Sequence, residues 1–268
     1  MDRIEELIKR VRQLRPIDDA MFKKLAESKA VCQEILRVIL DDKKLIVEEV
    51  ISEDSIANIF GRAVRLDALC TLGNGTLCNI EIQKENVNDD VRRVRYNASS
   101  IVSRFSEKGQ KFSEIPDVIV VYISEYDVFR LGRTIYHIDS VIRETNTTVD
   151  DGLSRVFVNT QYAAIDNTDV GELMKCFLQK EINDKKFPEL SERLSYFKND
   201  GKGVDSMCNI IEEYADERAD EREAEMLVKH VDTLVQKLGT IEEACEMLNI
   251  TKKQYDDAKA LLEKTLTV

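Results

Sequence analysis

The sequence predicts a mixed α/β fold in the order helix, three strands, helix, strand, followed by an all-helical C-terminal region. Three observations support this. A glycine-containing turn, Gly73-Asn74-Gly75, separates two segments of alternating polarity, Ala63 to Thr71 and Thr76 to Gln83. A continuous apolar run, Val118-Ile119-Val120-Val121-Tyr122-Ile123, has the composition of a strand buried on both faces. Beyond about residue 166 the apolar spacing is helical only.

The elements follow in order. Ile4 to Leu14 carries apolar residues at helical spacing and stops at Pro16, and Asp18 or Asp19 can cap a second helix running to about Leu40. Leu45 to Ile51 is expected as a first strand, ahead of the two hairpin strands. A helix spans about Asn88 to Lys108, and strands are expected at Asp117 to Ser124, Thr134 to Ile138 and Arg155 to Thr160. The long helix Val204 to Leu238 has a charged middle, Glu212 to Arg218. Thr240 and Thr251 each open a capping-box pattern for two short helices that meet near Asn249-Ile250. These expectations divide the chain into residues 1–165 and a helical region 166–268.

Composition narrows the chemistry. With 268 residues, 43% hydrophobic and 34% charged, the chain can bury one sizeable core and a smaller appendage. No apolar run is long enough for a membrane span and the charged start is unlike a signal peptide, so a soluble, cytoplasmic protein is expected. The six cysteines form no C-x-x-C pair and read as reduced core thiols. With two histidines, His137 and His230, a histidine metal site or a Ser-His-Asp triad has little support, and carboxylates must carry any metal chemistry. The net charge of −12 is uneven. Residues 1–160 hold 24 of the 39 Lys and Arg and 27 of the 51 Asp and Glu, so the acid gathers toward the C-terminus, away from any contact with phosphate.

The turn fixes what the hairpin presents. A three-residue loop at Gly73 to Gly75 sets Asp67 opposite Glu81 and Arg65 opposite Gln83. Val64, Leu66, Ala68, Cys70, Cys78, Ile80 and Ile82 then share a core face, and Arg65, Asp67, Asn79, Glu81 and Gln83 share the other. Two carboxylates about 5 Å apart repel by roughly 3 kcal/mol at an effective dielectric of 20. Either a divalent cation such as magnesium offsets that repulsion, or the face is solvated and Arg65 neutralises the pair. On the following helix, Arg92, Tyr96, Ser99 and Ser103 fall on one face suited to phosphate, while Val91, Ala98, Ile101, Val102 and Phe105 can pack.

At these residues the sequence resembles the PD-(D/E)xK nuclease superfamily, and more closely its recombination-promoting nuclease or transposase branch. Asp18-Asp19-Ala20-Met21-Phe22-Lys23 looks like the D-x-x-F-K element, and Val64-Arg65-Leu66-Asp67 like the strand with the first metal ligand. Asn79-Ile80-Glu81-Ile82-Gln83 looks like the N-I-E-x-Q strand, and Arg92-Arg93-Val94-Arg95-Tyr96 like the R-x-x-Y segment. The resemblance covers about residues 17–160 and implies a restriction-endonuclease-like αβββαβ core with a mixed sheet. It also implies metal ligation by Asp67 and Glu81 with the Ile82 carbonyl, and a water-orienting role for Gln83 where the wider superfamily has lysine. Magnesium, or manganese in its place, would be the cofactor and DNA the partner, contacted through Arg92, Arg95 and Tyr96.

The expected function is therefore a metal-dependent DNA endonuclease in recombination or DNA mobility. The alternatives are a non-catalytic DNA-binding or scaffolding protein that keeps the fold, and a helical interaction protein. Asn58 and Glu34 are weaker candidates outside the site. The apolar positions Leu227, Val231, Leu234 and Leu238 suggest homo-oligomerisation through the C-terminal helices, and the short helices read either as a packed hairpin or as a DNA-reading pair.

Overall fold

The computed structural model describes residues 3–56, 64–86 and 90–265, with the side chains of 53–56, 217, 218, 221, 238 and 263–265 outside that description. The chain divides into two compact units, Met1–Ile56 with Leu66–Cys208, and Ala57–Arg65 with Asn209–Val268. Three helices open the first: α1 (Arg3–Gln13), α2 (Asp19–Ala26) and α3 (Lys29–Ile39). Strands β1 (Val47–Ile56), β2 (Val64–Leu72) and β3 (Leu77–Gln83) follow, then α4 (Asp90–Arg104) and β4 (Val118–Ser124). After β5 (Ile135–Ile138) comes a small hairpin, β6 (Ser140–Ile142) with β7 (Thr147–Val149), and then β8 (Leu153–Asn159), α5 (Asp169–Phe177) and α6 (Pro188–Asn199). Helix α7 (Gly201–Leu238) runs from the first unit into the second, which ends in α8 (Ile241–Met247) and α9 (Lys252–Thr265).

A six-stranded mixed sheet, ordered β1-β2-β3-β4-β8-β5, forms the centre of the first unit. Strand β3 pairs antiparallel with β2 and parallel with β4, and β4 pairs parallel with β8. A parallel pair needs a crossover rather than a tight turn, and α4 is that crossover between β3 and β4. One face of the hairpin is lined by Ala68, Cys70, Cys78 and Ile80. The small side chains of Ala68, Cys70 and Cys78 let α3 approach, and Cys32 of that helix is fully buried against the two cysteines.

The expected helix from Asp18 to Leu40 is two helices. Ser28 takes an extended conformation, its hydroxyl accepts from the Val31 N–H, and it starts α3 afresh. The break turns Met21, Phe22 and Leu25 of α2 and Val31, Ile35 and Leu36 of α3 into the same core.

Helices α5 and α6, which the sequence groups with the region from 166 onward, belong to the same compact unit as the sheet. Phe177 packs against Phe22, with ring centroids 6.4 Å apart. Glu34 joins α3 to α6: its carboxylate accepts from the N–H groups of Glu189 and Leu190 at 3.1 and 2.9 Å, capping a helix that begins with Pro188. This carboxylate, a weaker site candidate by sequence, ties helices together.

In the second unit, Val231 of α7 is buried with Ala244 and Cys245 of α8 and Tyr255 of α9, and Val228, Leu234, Val235 and Ile241 pack around them. The Tyr255 hydroxyl donates to Asp232 at 2.8 Å. Of the apolar stripe expected to drive self-association, Val231 and Leu234 are thus packed within the chain, and the side chain of Leu238 lies outside the described residues. The short helices form a hairpin packed on α7; Thr240 caps α8, and Thr251 with Gln254 caps α9.

Glu34→Ala is expected to lower the unfolding free energy by about 1 kcal/mol, because two N–H groups at the start of α6 lose their acceptor. Glu34→Gln, which keeps an acceptor oxygen, should lose less. Urea unfolding of both variants checks this.

Candidate functional site

The hairpin loop is three residues long. The Leu72 N–H donates to the Thr76 carbonyl, the Gly75 N–H donates back to Leu72, and Gly75 has φ +85°, where a side chain would be strained. The resulting register pairs Cys70 with Cys78, Leu69 with Asn79 and Ala68 with Ile80. One step further Asp67 meets Glu81, and there a side chain replaces the backbone ladder: Asp67 Oδ2 accepts from the Ile82 N–H at 2.8 Å. Because the N–H and C=O of one strand residue point to the same side, the Ile82 carbonyl faces β2 as well. The Gln83 carbonyl faces the other way and accepts from the Glu125 N–H.

The face with Glu81 is not solvated, contrary to the simpler of the two sequence readings. Helix α4 covers it, leaving Asn79 fully buried and Glu81 5% exposed. Leu69 and Leu77 share this face and are buried too. Burial pushes the Glu81 carboxyl well above the ordinary carboxylate range, and the negative charge of Asp67 pushes it the same way. Opposing them, Asn79 Nδ2 donates to Glu81 Oε1 at 2.7 Å, and Arg93 and the Asp67 backbone N–H also favour the ionised form.

Gln83 lies on the same face, half-buried, beside Ser124 of β4. Its Oε1 accepts from Arg93 Nη1 at 2.9 Å and its Nε2 donates to the Glu85 carbonyl. Arg93, which the sequence reading quoted within the R-x-x-Y segment but did not name among the DNA contacts Arg92, Arg95 and Tyr96, is the arginine that α4 turns toward the sheet. The helix is anchored at its first residue. Asp90, 5% exposed, accepts from the hydroxyls of Tyr122 and Tyr126 at 2.6 and 2.5 Å. Burial, followed by the bond to Asp90, raises the pKa of both tyrosines and keeps them as donors. Tyr122 is the residue paired with Glu81.

This anchoring sets the helix phase. The packed face is Asp90, Val94, Asn97, Ala98 and Ile101, and Val91, expected in the core, is 42% exposed. Arg92, Arg95, Ser99 and Ser103 are exposed and Tyr96 is half-buried. Two more exposed arginines, Arg130 and Arg133, lie on the loop that leaves β4 at the same end of the sheet as Gln83, the last residue of β3. Lys84 turns to the opposite face, as the strand alternation requires, and its Nζ bonds Asp18 at 2.7 Å; Arg15 bridges Asp18 and Glu125. Asn58 lies outside the described residues.

The donor set fits a hard divalent cation. Among the described residues no group of three or more His, Cys, Asp or Glu side chains could hold a metal. A cation here would rest on the Asp67 and Glu81 carboxylates, the Ile82 carbonyl and water, an all-oxygen set of the kind magnesium accepts. It would also relieve the repulsion that raises the Glu81 pKa.

A carboxyl whose folded-state pKa is raised adds stability that is full below its unfolded value and is lost as pH rises through the folded one. In EDTA, wild-type stability should therefore fall from the ordinary glutamate range upward relative to Glu81→Gln, which should be the more stable protein at neutral pH. Thermal melts of both across pH test this; parallel profiles would contradict the placement of Glu81.

The model of the PD-(D/E)XK nuclease family transposases matches residues 16–265. No curated protein and no solved structure matches the chain. The mixed central sheet and the helical C-terminal region agree with the fold of that family. Since the match spans all but the ends of the 268 residues, the chain belongs to the PD-(D/E)XK nuclease family transposases.

Proposed function

We propose that the protein is a DNA endonuclease that hydrolyses phosphodiester bonds with magnesium, or manganese in its place, and acts in recombination or DNA mobility. The observation that carries this reading is the junction of β2 and β3. Two carboxylates meet there, one of them buried at an energetic cost, and strand geometry turns the Ile82 carbonyl to the side of its N–H, which Asp67 holds. A structural role alone gives no reason to bury Glu81 beside Asp67, whereas cation binding turns that arrangement into a preformed site.

Bound there, a divalent ion supplies Lewis acidity toward the phosphodiester and its attacking water. The chain does the rest. Asp67 and Glu81 fix the position of the cation, and Asn79 holds the Glu81 carboxylate by its Oε1. Gln83 uses one acceptor site on Arg93 and one N–H on Glu85, so a lone pair and an N–H remain to orient water. On the exposed side of α4, Arg92 and Arg95, with Tyr96 beside them, contact the DNA backbone and keep the strand in register with the site. Helix α4 belongs to the half of the chain in which acid and base nearly balance, so phosphate can approach it.

Supercoiled and linear DNA incubated with magnesium, manganese or EDTA tests the activity. Asp67→Ala should abolish cleavage while DNA affinity stays equal or rises slightly, because the change removes a ligand and also a charge that repels phosphate. Gln83→Ala, which keeps both carboxylates, should slow cleavage by about 10². A wild type inert with every divalent ion, or Asp67→Ala cutting at the wild-type rate, would shift support to a non-catalytic DNA-binding protein.

A further inference from the structure

We propose that Arg93, presented by Gln83, is a catalytic residue: its guanidinium meets the negative charge that builds on the phosphodiester during cleavage. This rests on the nuclease reading of the same site. The need for such a cation follows from the charges. Asp67 and Glu81 together cancel one divalent ion, and the residue at the strand end, Gln83, is neutral, so the end of β3 itself brings no positive charge to an incoming phosphate. Arg93 brings one positive charge to that point from the helix.

The structure holds it there by two independent means. From the strand, Gln83 Oε1 accepts from Nη1 at 2.9 Å. From the helix, the buried Asp90 carboxylate is tied to Tyr122 and Tyr126 at 2.6 and 2.5 Å, three residues before Arg93, which fixes the rotation of α4 over the sheet. Arg93 stands close enough to Glu81 for its charge to act on that carboxyl. A guanidinium carries five N–H donors, and one of them is engaged with Gln83, so the fork is oriented and still able to bind two phosphate oxygens. Arg92 and Arg95 lack this orientation; they are exposed on the outer side of the helix. The tyrosine anchor that sets the phase of the whole helix thereby also places this arginine, the sort of support that a precisely aimed charge needs.

The test uses the full-length protein with Arg93→Ala, Arg93→Lys and the double variant Gln83→Lys/Arg93→Ala, followed by single-turnover cleavage at saturating DNA and metal. Mn2+ affinity and DNA affinity are measured alongside. Arg93→Ala is expected to lower the saturated rate by about 10²–10³ with Mn2+ affinity unchanged or higher, and Arg93→Lys to lower it less. In the double variant the strand supplies the charge next to where the guanidinium stood, and at least a tenfold recovery over Arg93→Ala is expected. An Arg93→Ala protein that cuts at the wild-type saturated rate, or whose loss lies in DNA affinity alone, overturns the proposal. So does a loss accompanied by lost Mn2+ binding and not recovered in the double variant, which marks Arg93 as a scaffold for the carboxylates. If wild-type protein cuts no DNA with any metal, the nuclease reading fails first and this proposal falls with it.

Discussion

The structure turns on a single electrostatic constraint, the burial of Glu81 against Asp67 where the β2–β3 ladder ends. Taking a carboxylate out of water beside another one is unfavourable, and the chain offsets this only in part, through Asn79, Arg93 and the Asp67 N–H. Asp67 meanwhile takes the Ile82 N–H that a backbone carbonyl would otherwise have accepted, beyond the last ladder pair of Ala68 with Ile80, and the Ile82 carbonyl points to the same side of its strand as that N–H. The turn residue Gly75 contributes from the far end of the hairpin, since its left-handed conformation closes the three-residue loop that sets the register.

Much of the rest of the first unit serves to hold that junction. The parallel pairing of β3 and β4 demands a crossover, the crossover helix covers the Glu81 face, and the Asp90 link to Tyr122 and Tyr126 decides which side of the helix looks inward. On the other face, Asp18 gathers Lys84 and Arg15, and Arg15 reaches Glu125, so the loops after β3 and β4 are bound to the start of α2. These pairs are partly buried, Asp18 most of all, and their effect is to fix loop positions. Helices α5 and α6 complete the core behind the sheet through Phe177, Phe187 and Leu190, with Glu34 closing the seam.

The hairpin was legible in the sequence because its signals are local. Gly73-Asn74-Gly75 specifies the loop, and the alternation from Val64 to Ile82, broken by Leu69 and Leu77 near the turn, leaves one register that keeps most of the apolar residues together. Its covering was not legible, because whether Asn79 and Glu81 meet water or a helix depends on where α4 folds back. The helix phase was misjudged for a related reason. A hydrophobic-face argument places Val91 inside, but two polar residues, Asp90 and Asn97, are buried instead, and the hydroxyls that hold Asp90 come from Tyr122 of β4 and Tyr126 just beyond it, more than thirty residues away. The spacing of Asp90, Val94, Asn97, Ala98 and Ile101 was itself a helical stripe, readable only if buried polar residues are allowed. Ser28 was a visible break that the apolar periodicity on either side concealed. The grouping of α5 and α6 with the sheet depends on contacts such as Phe22 with Phe177, which periodicity alone does not reveal.

The central claim, that the Asp67–Glu81 junction is a preformed site for one divalent cation, is tested most directly by calorimetric titration of the metal-free protein with Mn2+ in two buffers of different ionisation heat. The account predicts one cation per chain, with protons released in a proportion that grows as pH is lowered toward neutrality and below, since the cation displaces the proton that burial favours on Glu81. Glu81→Gln should show no such release. Absence of Mn2+ binding at millimolar concentration, or binding by Asp67→Ala as tight as by the wild type, would contradict it.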